Sequence, residues 1–192
     1  MKMEGSFNAK VVLLGTSRVG KTSIATRFGM NTFDENQTAT IGVAFLTKSY
    51  KFDEGVISFE LWDTAGQEKF KSVTMSYVRE AKAVLCVYDL FKKGTVSPAI
   101  DYAVDAVEKL GESTIIVMVG NKSDLCVDVP PEVYSFCQKH SYNHFECSAK
   151  TGEGIDEIFS FLGKQLIEKK FFEKSLIRSF DIQEENGKSK CC

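Results

Sequence analysis

Apolar residues fall along the chain in segments of two kinds. Six short runs rich in Val, Ile, Leu, Phe and Cys have the length and composition of strands, and they cover residues 10–14, 43–52, 56–62, 83–88, 114–119 and 144–147. Four longer segments carry apolar residues three and four positions apart, which predicts helices over residues 22–30, 96–110, 130–140 and 154–170. Their alternation predicts an α/β fold, with helices on both faces of a mostly parallel, six-stranded sheet.

One pair of predicted strands should depart from the parallel arrangement. Residues 43–52 and 56–62 are joined only by Asp53, Glu54 and Gly55, a short polar link that indicates a hairpin. Because a hairpin places its two strands antiparallel, we expect this pair to extend the sheet at one edge.

The predicted elements end near residue 170. We expect one domain over residues 7–172, followed by a flexible tail over residues 173–192 that is rich in charged and polar residues. The amino terminus does not resemble a signal peptide, which predicts synthesis in the cytosol. Four of the six cysteines are scattered along the chain and indicate no disulfide framework. The chain has 24 basic and 26 acidic residues, so its charge gives no reason to expect a nucleic-acid partner.

A glycine-rich segment lies between the first predicted strand and the first predicted helix. Residues 15–22 match the pattern G-x-x-x-x-G-K-[ST], and we call them the P-loop. In such a loop the backbone N–H groups bind phosphate, Lys21 reaches the β- and γ-phosphates, and the hydroxyl of Thr22 binds Mg²⁺. The pattern predicts these phosphate-site residues: Ser17, Arg18, Val19, Gly20, Lys21, Thr22 and Ser23.

Two polar segments that follow later strands predict which base is bound. Residues 121–124, here called the base loop, have the form N-K-x-D. The carboxylate of Asp124 can accept hydrogen bonds from N1–H and the 2-amino group of guanine, whereas adenine offers neither donor. After the last strand, the N–H of Ala149 can donate to guanine O6. The predicted base-site residues are Asn121, Lys122, Asp124, Ser148, Ala149 and Lys150.

Residues 62–68 and the polar segment 31–42 predict the chemistry at the γ-phosphate. Asp63 is placed to hold a water bound to Mg²⁺, Gly66 can bring its N–H to the γ-phosphate, and Gln67 can orient an attacking water. Thr40 can give Mg²⁺ a second hydroxyl. Because these contacts need a γ-phosphate, both segments should loosen after hydrolysis. The predicted catalytic residues are Lys21, Thr40, Gly66 and Gln67, and the predicted metal ligands are Thr22, Thr40 and Asp63.

In their order along the chain, these motifs resemble the nucleotide-binding motifs of the Ras superfamily of small GTPases. The strings over residues 41–45, 62–68 and 77–79, with the paired cysteines at 191–192, resemble the Rab family. The resemblance implies a P-loop GTPase fold that binds GTP or GDP with Mg²⁺ and switches between two states in intracellular vesicle trafficking. It also implies that Phe33 lies against guanine and that effectors read an aromatic triad: Phe45, Trp62 and Tyr77.

The same resemblance implies partners and a location. The partners would be an exchange factor, a GTPase-activating protein, a GDP-dissociation inhibitor and effectors. Prenyl groups on Cys191 and Cys192 would anchor the chain at the cytoplasmic face of endomembranes, with a cytosolic pool.

Three alternatives remain open. Arg18 is bulkier than the glycine or alanine common at its position in the family, so the chain could be a nucleotide-binding interaction module with little hydrolysis. Trp62 and the paired cysteines disfavour a Ras- or Rho-type signalling GTPase. Asp124 disfavours a P-loop ATPase or nucleotide kinase, because adenine has neither the N1–H nor the 2-amino group that would donate to its carboxylate.

Overall fold

The structure is a computed structural model that describes residues 6–53, 55–111, 113–125 and 128–169. Within these residues the strands are β1 (Ser6–Leu14), β2 (Val43–Phe52), β3 (Gly55–Thr64), β4 (Ala83–Asp89), β5 (Ile115–Asn121) and β6 (Asn143–Cys147). The helices are α1 (Lys21–Met30), α2 (Lys71–Ser76), α3 (Val96–Leu110), α4 (Pro131–His140) and α5 (155–169).

The strands form one sheet in the order β2-β3-β1-β4-β5-β6. The β2–β3 pair is antiparallel, with Val43 opposite Thr64 and Phe52 opposite Gly55, and the other neighbouring pairs are parallel. The predicted six-stranded α/β sheet with an antiparallel edge hairpin is therefore confirmed. Because β1, β3, β4, β5 and β6 run the same way, the loops that follow them lie at one edge of the sheet.

Each face of the sheet packs against its own set of helices. On β1, Val11 and Leu13 lie in the core shared with α1 and α5, while Val12 and Leu14 lie in the core shared with α3 and α4. Successive side chains of a strand point to opposite faces, so a strand covered on both sides is apolar throughout. This explains why the central strands β4 and β5 are nearly continuous apolar runs.

The predicted and observed boundaries differ most in three places. Strand β1 begins at Ser6, four residues before its predicted start. Strands β3 and β5 extend over polar residues and end at Thr64 and Asn121, because pairing with the neighbouring strands supplies backbone hydrogen bonds whatever the side chain. Thr64 pairs with β2, and Asn121 pairs with β4 and β6. The polar stretch over residues 63–76, for which we predicted no helix, contains the short helix α2. Thr74 and Met75 are buried there, so tertiary packing stabilises a turn that has no apolar periodicity.

The centre of the α1–α5 core is a group of stacked aromatic rings. Phe159 of α5 has its ring centroid 3.5 Å from that of Phe28 and 5.6 Å from that of Phe59, and its side chain is fully buried. We expect Phe159→Ala to lower the free energy of unfolding by about 3 to 5 kcal/mol, because it leaves a cavity in a packed core. Urea unfolding would measure the change.

The matched control is Phe91→Ala, since Phe91 is 64% exposed. This variant should change the free energy of unfolding by no more than about 0.5 kcal/mol. Equal stability losses in the two variants would contradict the assignment of Phe159 to the core.

Candidate functional site

A cavity of about 800 Å³ lies at the carboxyl edge of the sheet. The P-loop, residues 33–40, residues 64–67, the base loop and residues 149–150 line it, so the segments predicted separately from the sequence meet around one space. Most of the predicted residues line this cavity: Ser17, Arg18, Gly20, Lys21, Thr22, Ser23, Phe33, Thr40, Gly66, Gln67, Asn121, Lys122, Asp124, Ala149 and Lys150. Val19, Asp63 and Ser148 are buried just behind its wall.

Two glycines of the P-loop are required by their surroundings. Gly15 and Gly20 have φ angles of +148° and +96°, which L side chains rarely adopt. A Cβ on Gly15 would lie 2.2 Å from the carbonyl oxygen of Val87, and one on Gly20 would lie 2.1 Å from Nδ2 of Asn121. The P-loop therefore packs directly against β4 and the end of β5. Arg18 between them is left-handed at φ 66°, with an exposed side chain.

Lys21 is a cation held inside the P-loop. Its side chain is 5% exposed, and its Nζ donates to the carbonyl oxygens of Gly15 and Thr16, both at 2.9 Å. Burial lowers the pKa of Lys21 to about 8, against the opposing effect of the Asp63 charge. A Cβ on Gly66 would lie 2.5 Å from this Nζ, so glycine lets the 64–67 segment approach Lys21 closely.

Three side-chain oxygens meet beside Lys21, and we call Thr22, Thr40 and Asp63 the oxygen cluster. Thr22 Oγ1 donates to Asp63 Oδ2 at 2.6 Å and lies 2.7 Å from Thr40 Oγ1, and Thr40 Oγ1 donates to Asp63 Oδ2 at 3.2 Å. The other oxygen of Asp63, Oδ1, is buried and has no hydrogen-bond partner among the described residues. Burial raises the pKa of Asp63, and the Thr22 hydrogen bond and the Lys21 charge oppose that rise.

The donor set of the oxygen cluster fits Mg²⁺. Mg²⁺ prefers oxygen ligands and is usually held by one or two carboxylates together with phosphates and waters. Asp63 supplies the carboxylate, and its buried Oδ1 could bind the ion or accept a hydrogen bond from a water on it. The two hydroxyls come from α1 and the 33–40 segment.

The amide of Asn121 joins the P-loop to the base loop and to residue 149. It is 2% exposed; its Nδ2 donates to the carbonyl oxygen of Val19 at 2.8 Å, and its Oδ1 accepts the N–H of Ala149 at 3.1 Å. We predicted guanine O6 as the acceptor for this N–H, and the structure gives it an internal acceptor. Nearby, Ser148 Oγ donates to Asp124 Oδ1 at 2.6 Å, which fixes the carboxylate at the cavity wall.

Sequence reasoning missed two residues that hold these loops. Arg27 of α1 donates from Nε to the carbonyl oxygen of Ala149 at 2.9 Å and from Nη2 to that of Lys150 at 2.7 Å. Glu35 forms an ion pair with Lys150 across the cavity, at 2.9 Å. Neither residue belongs to a recognisable sequence motif, because both contact residues far away in the chain. Arg27 and Ala149, for example, are 122 positions apart.

The three predicted effector-binding aromatics lie together, outside the cavity. The ring centroid of Trp62 is 5.6 Å from that of Phe45 and 5.9 Å from that of Tyr77, and Phe45 is 57% exposed. They occupy the hairpin surface next to the 33–42 and 64–76 segments. Cys191 and Cys192 lie outside the described residues.

Comparison with known proteins identifies the family. The model of the Ras family matches residues 10–168. The chain is 43% identical to GTP-binding protein YPT53 of Saccharomyces cerevisiae, over 82% of this chain and 76% of that protein. It is 36% identical to GTP-binding protein ypt5 of Schizosaccharomyces pombe, over 84% and 79%, and 34% identical to Ras-related protein Rab-1 of Theileria annulata, over 83% and 74%.

The chain belongs to the Ras family, as a small regulatory GTPase of the Rab type that acts in vesicle trafficking. The resemblance read from the motifs is confirmed. None of the alternatives is favoured: neither an interaction module with little hydrolysis, nor a Ras- or Rho-type signalling GTPase, nor a P-loop ATPase or kinase. In the part of the chain that the structure describes, no helix is both long and apolar enough to span a bilayer.

The lowered pKa of Lys21 predicts how stability changes at alkaline pH. In the nucleotide-free chain Lys21 loses its proton near pH 8, whereas in the unfolded chain it keeps it to about pH 10.5, so the unfolded state binds more protons in this window. Stability therefore rises with pH from 8 upward. After bound nucleotide is removed from both proteins, we expect the wild type to gain about 1.5 kcal/mol between pH 8 and pH 9.5 relative to Lys21→Met, measured by urea unfolding at each pH.

Lys21→Met is itself the control, because it removes only the titrating group and keeps an unbranched side chain. A constant difference between wild type and variant over this pH range would contradict the burial of Lys21 as the cause of its lowered pKa.

Proposed function

We propose that the chain binds GDP and GTP with Mg²⁺ in the 800 Å³ cavity and hydrolyses GTP slowly. The observation that carries this proposal is the Asn121 amide, which ties a phosphate-binding loop to a guanine-type base loop at one cavity. Membership of the Ras family supports GTP hydrolysis in general.

Base selection is proposed to rest on Asp124. The hydroxyl of Ser148 occupies one side of Oδ1, which leaves acceptor positions directed at the cavity for N1–H and the 2-amino group of guanine. Adenine would leave these positions without a donor, at a cost that favours guanine strongly. Phe33 lines the same cavity and is proposed to lie against the base.

Phosphate binding is proposed to rest on Lys21 and on the N–H groups of the P-loop. A phosphate anion favours the ammonium form, so bound nucleotide would raise the pKa of Lys21 from about 8 and keep the cation charged. Thr22, Thr40 and Asp63 would hold Mg²⁺. The ion, when bound, supplies positive charge to the β- and γ-phosphate oxygens.

Hydrolysis is proposed to proceed by in-line attack of water on the γ-phosphorus. The bond from the γ-phosphorus to the β–γ bridging oxygen breaks, so that GDP leaves and the oxygen of the water becomes part of inorganic phosphate. Gln67 lines the cavity beside Gly66, where its side-chain amide would orient the water, while the N–H of Gly66 and the ammonium of Lys21 stabilise charge on the phosphate oxygens. Intrinsic turnover would be slow, on the order of 10⁻⁴ to 10⁻² s⁻¹, and a partner would accelerate it.

Switching is proposed to follow from Thr40 and Gly66, whose γ-phosphate contacts are lost on hydrolysis. Their segments border the Phe45–Trp62–Tyr77 surface, where effectors would distinguish the two states. An exchange factor, a GTPase-activating protein and a GDP-dissociation inhibitor would regulate the cycle. Prenyl groups on Cys191 and Cys192, outside the described residues, would hold the chain at the cytoplasmic face of endomembranes.

Base selectivity gives the first test. Asp124→Asn replaces one carboxylate oxygen by an N–H donor, which opposes the donors of guanine and suits the 2-carbonyl of xanthine. We expect affinity for GDP to fall by at least about 100-fold and affinity for xanthosine diphosphate to rise, measured by isothermal titration calorimetry.

The control for this test is Asp128→Asn, an exposed carboxylate close by in the chain that does not line the cavity. It should leave both affinities unchanged. An Asp124→Asn variant that keeps the wild-type preference for GDP would contradict the assignment of the base site.

Hydrolysis gives the second test. The nucleotide released from purified protein on denaturation is identified first, and we expect GDP. Single-turnover hydrolysis of loaded GTP with Mg²⁺ is then compared between wild type and Gln67→Leu, which we expect to be slower by at least about tenfold, because the water loses its orienting group.

Gln138→Leu is the matched control, because Gln138 is exposed on α4 away from the cavity. Recovery of adenine nucleotide would contradict the base assignment, and equal rates for Gln67→Leu and wild type would contradict the role of Gln67. The same assay on Arg18→Ala tests the hypothesis that Arg18 alters hydrolysis, and a rate equal to that of wild type would rule it out.

A further inference from the structure

Asp89 is a carboxylate buried at the end of an otherwise apolar strand. It is the last residue of β4, follows six buried apolar residues, and has a side chain that is 1% exposed. A buried carboxylate is costly unless an opposite charge and hydrogen bonds surround it. Asp89 has both kinds of partner.

The two oxygens of Asp89 have different partners. Oδ1 accepts the backbone N–H of Phe91 at 3.0 Å, which shapes the turn after β4. Oδ2 accepts from Nζ of Lys122 at 2.6 Å, and this same Nζ donates to the carbonyl oxygen of Arg18 at 3.1 Å. One ammonium group therefore joins the end of β4, the base loop and the P-loop.

The two loop residues that this ammonium connects have unusual backbones. Arg18 and Lys122 are left-handed, with φ angles of 66° and 72°. Residues with a Cβ keep this conformation only where the surrounding contacts hold it. Lys122 also lines the cavity, so fixing its far end fixes part of the cavity wall.

We propose that Asp89 is a positioning residue for nucleotide binding: it holds the Lys122 ammonium against the P-loop and so sets how long a bound guanine nucleotide stays. This inference rests on the proposed function. With the carboxylate gone, Lys122 loses its charged partner and gains freedom to leave the cavity wall. A less organised site loses binding free energy when the ligand orders it, and differences of this kind between related complexes lie mainly in the dissociation rate.

Asp89→Asn isolates the charge. Asparagine has nearly the same shape, and its amide oxygen can still accept the N–H of Phe91, so the turn is kept. Wild type and variant are loaded with methylanthraniloyl-GDP in the presence of Mg²⁺ and chased with excess GDP. We expect the variant to release the fluorescent nucleotide about tenfold faster or more.

Asp105→Asn is the matched control. It breaks an ion pair of similar length, Lys71–Asp105 at 2.7 Å, which is partly exposed and lies outside the cavity. Exposed ion pairs contribute little, so this variant should release nucleotide within about twofold of the wild-type rate.

A double-variant cycle separates positioning from a purely structural role. If Asp89 acts through Lys122, the double variant Asp89→Asn with Lys122→Gln releases nucleotide no faster than Lys122→Gln alone. If the two accelerations multiply instead, the inference is overturned. The double variant has no unpaired buried charge, so it should fold even if Asp89→Asn alone does not. Its release rate can then still be compared with that of Lys122→Gln.

The remaining outcomes separate this inference from the proposed function. A wild-type chain that takes up no guanine nucleotide contradicts the proposed function and the inference together. A wild type that binds the nucleotide, with an Asp89→Asn variant that releases it at the same rate, contradicts the inference alone.

Discussion

The buried amide of Asn121 is the interaction on which the rest of the site depends. It donates to the P-loop at Val19 and accepts from Ala149, so three strand-end loops are fixed relative to one another by one side chain. The P-loop can come this close only because Gly20 has no Cβ. Since a buried amide with unmade hydrogen bonds is costly, these contacts form together or not at all.

Two buried charges give the cavity its electrostatic character. The ammonium of Lys21 lies at the cavity wall and the carboxylate of Asp63 lies just behind it, and burial disfavours the charged form of both groups. Each charge is stabilised by the other and by hydrogen bonds with neighbouring oxygens. A bound nucleotide would bring phosphate to the cation, and Mg²⁺ would bring positive charge to the carboxylate, so the site gains from the ligands that its family binds.

The edge hairpin connects this chemistry to the surface. Strand β3 carries Asp63 at the cavity end and Trp62 one residue before it. Because successive side chains of a strand point to opposite faces, the Trp62 side chain points away from that of Asp63 and lies against Phe45 and Tyr77. Behind them, the N–H of Ala65 donates to the carbonyl oxygen of Gly42 at 2.8 Å, so the two segments that flank the hairpin are bonded to each other. A change at the Asp63 end of the strand therefore reaches the exposed aromatic surface within a few residues.

By itself, the sequence determined the sheet, its edge hairpin, the P-loop and the base loop, because these depend on local periodicity, glycine placement and short spacings. Tertiary structure decided what holds the loops in place. Arg27, Glu35 and Asp89 carry no motif, and their contacts with Ala149, Lys150 and Lys122 join residues far apart in the chain. Helix α2 was missed for the same reason: its stability comes from packing against residues distant in sequence. A pattern read along the chain predicts which groups a site contains, whereas the distances between those groups are set only when the strands pair.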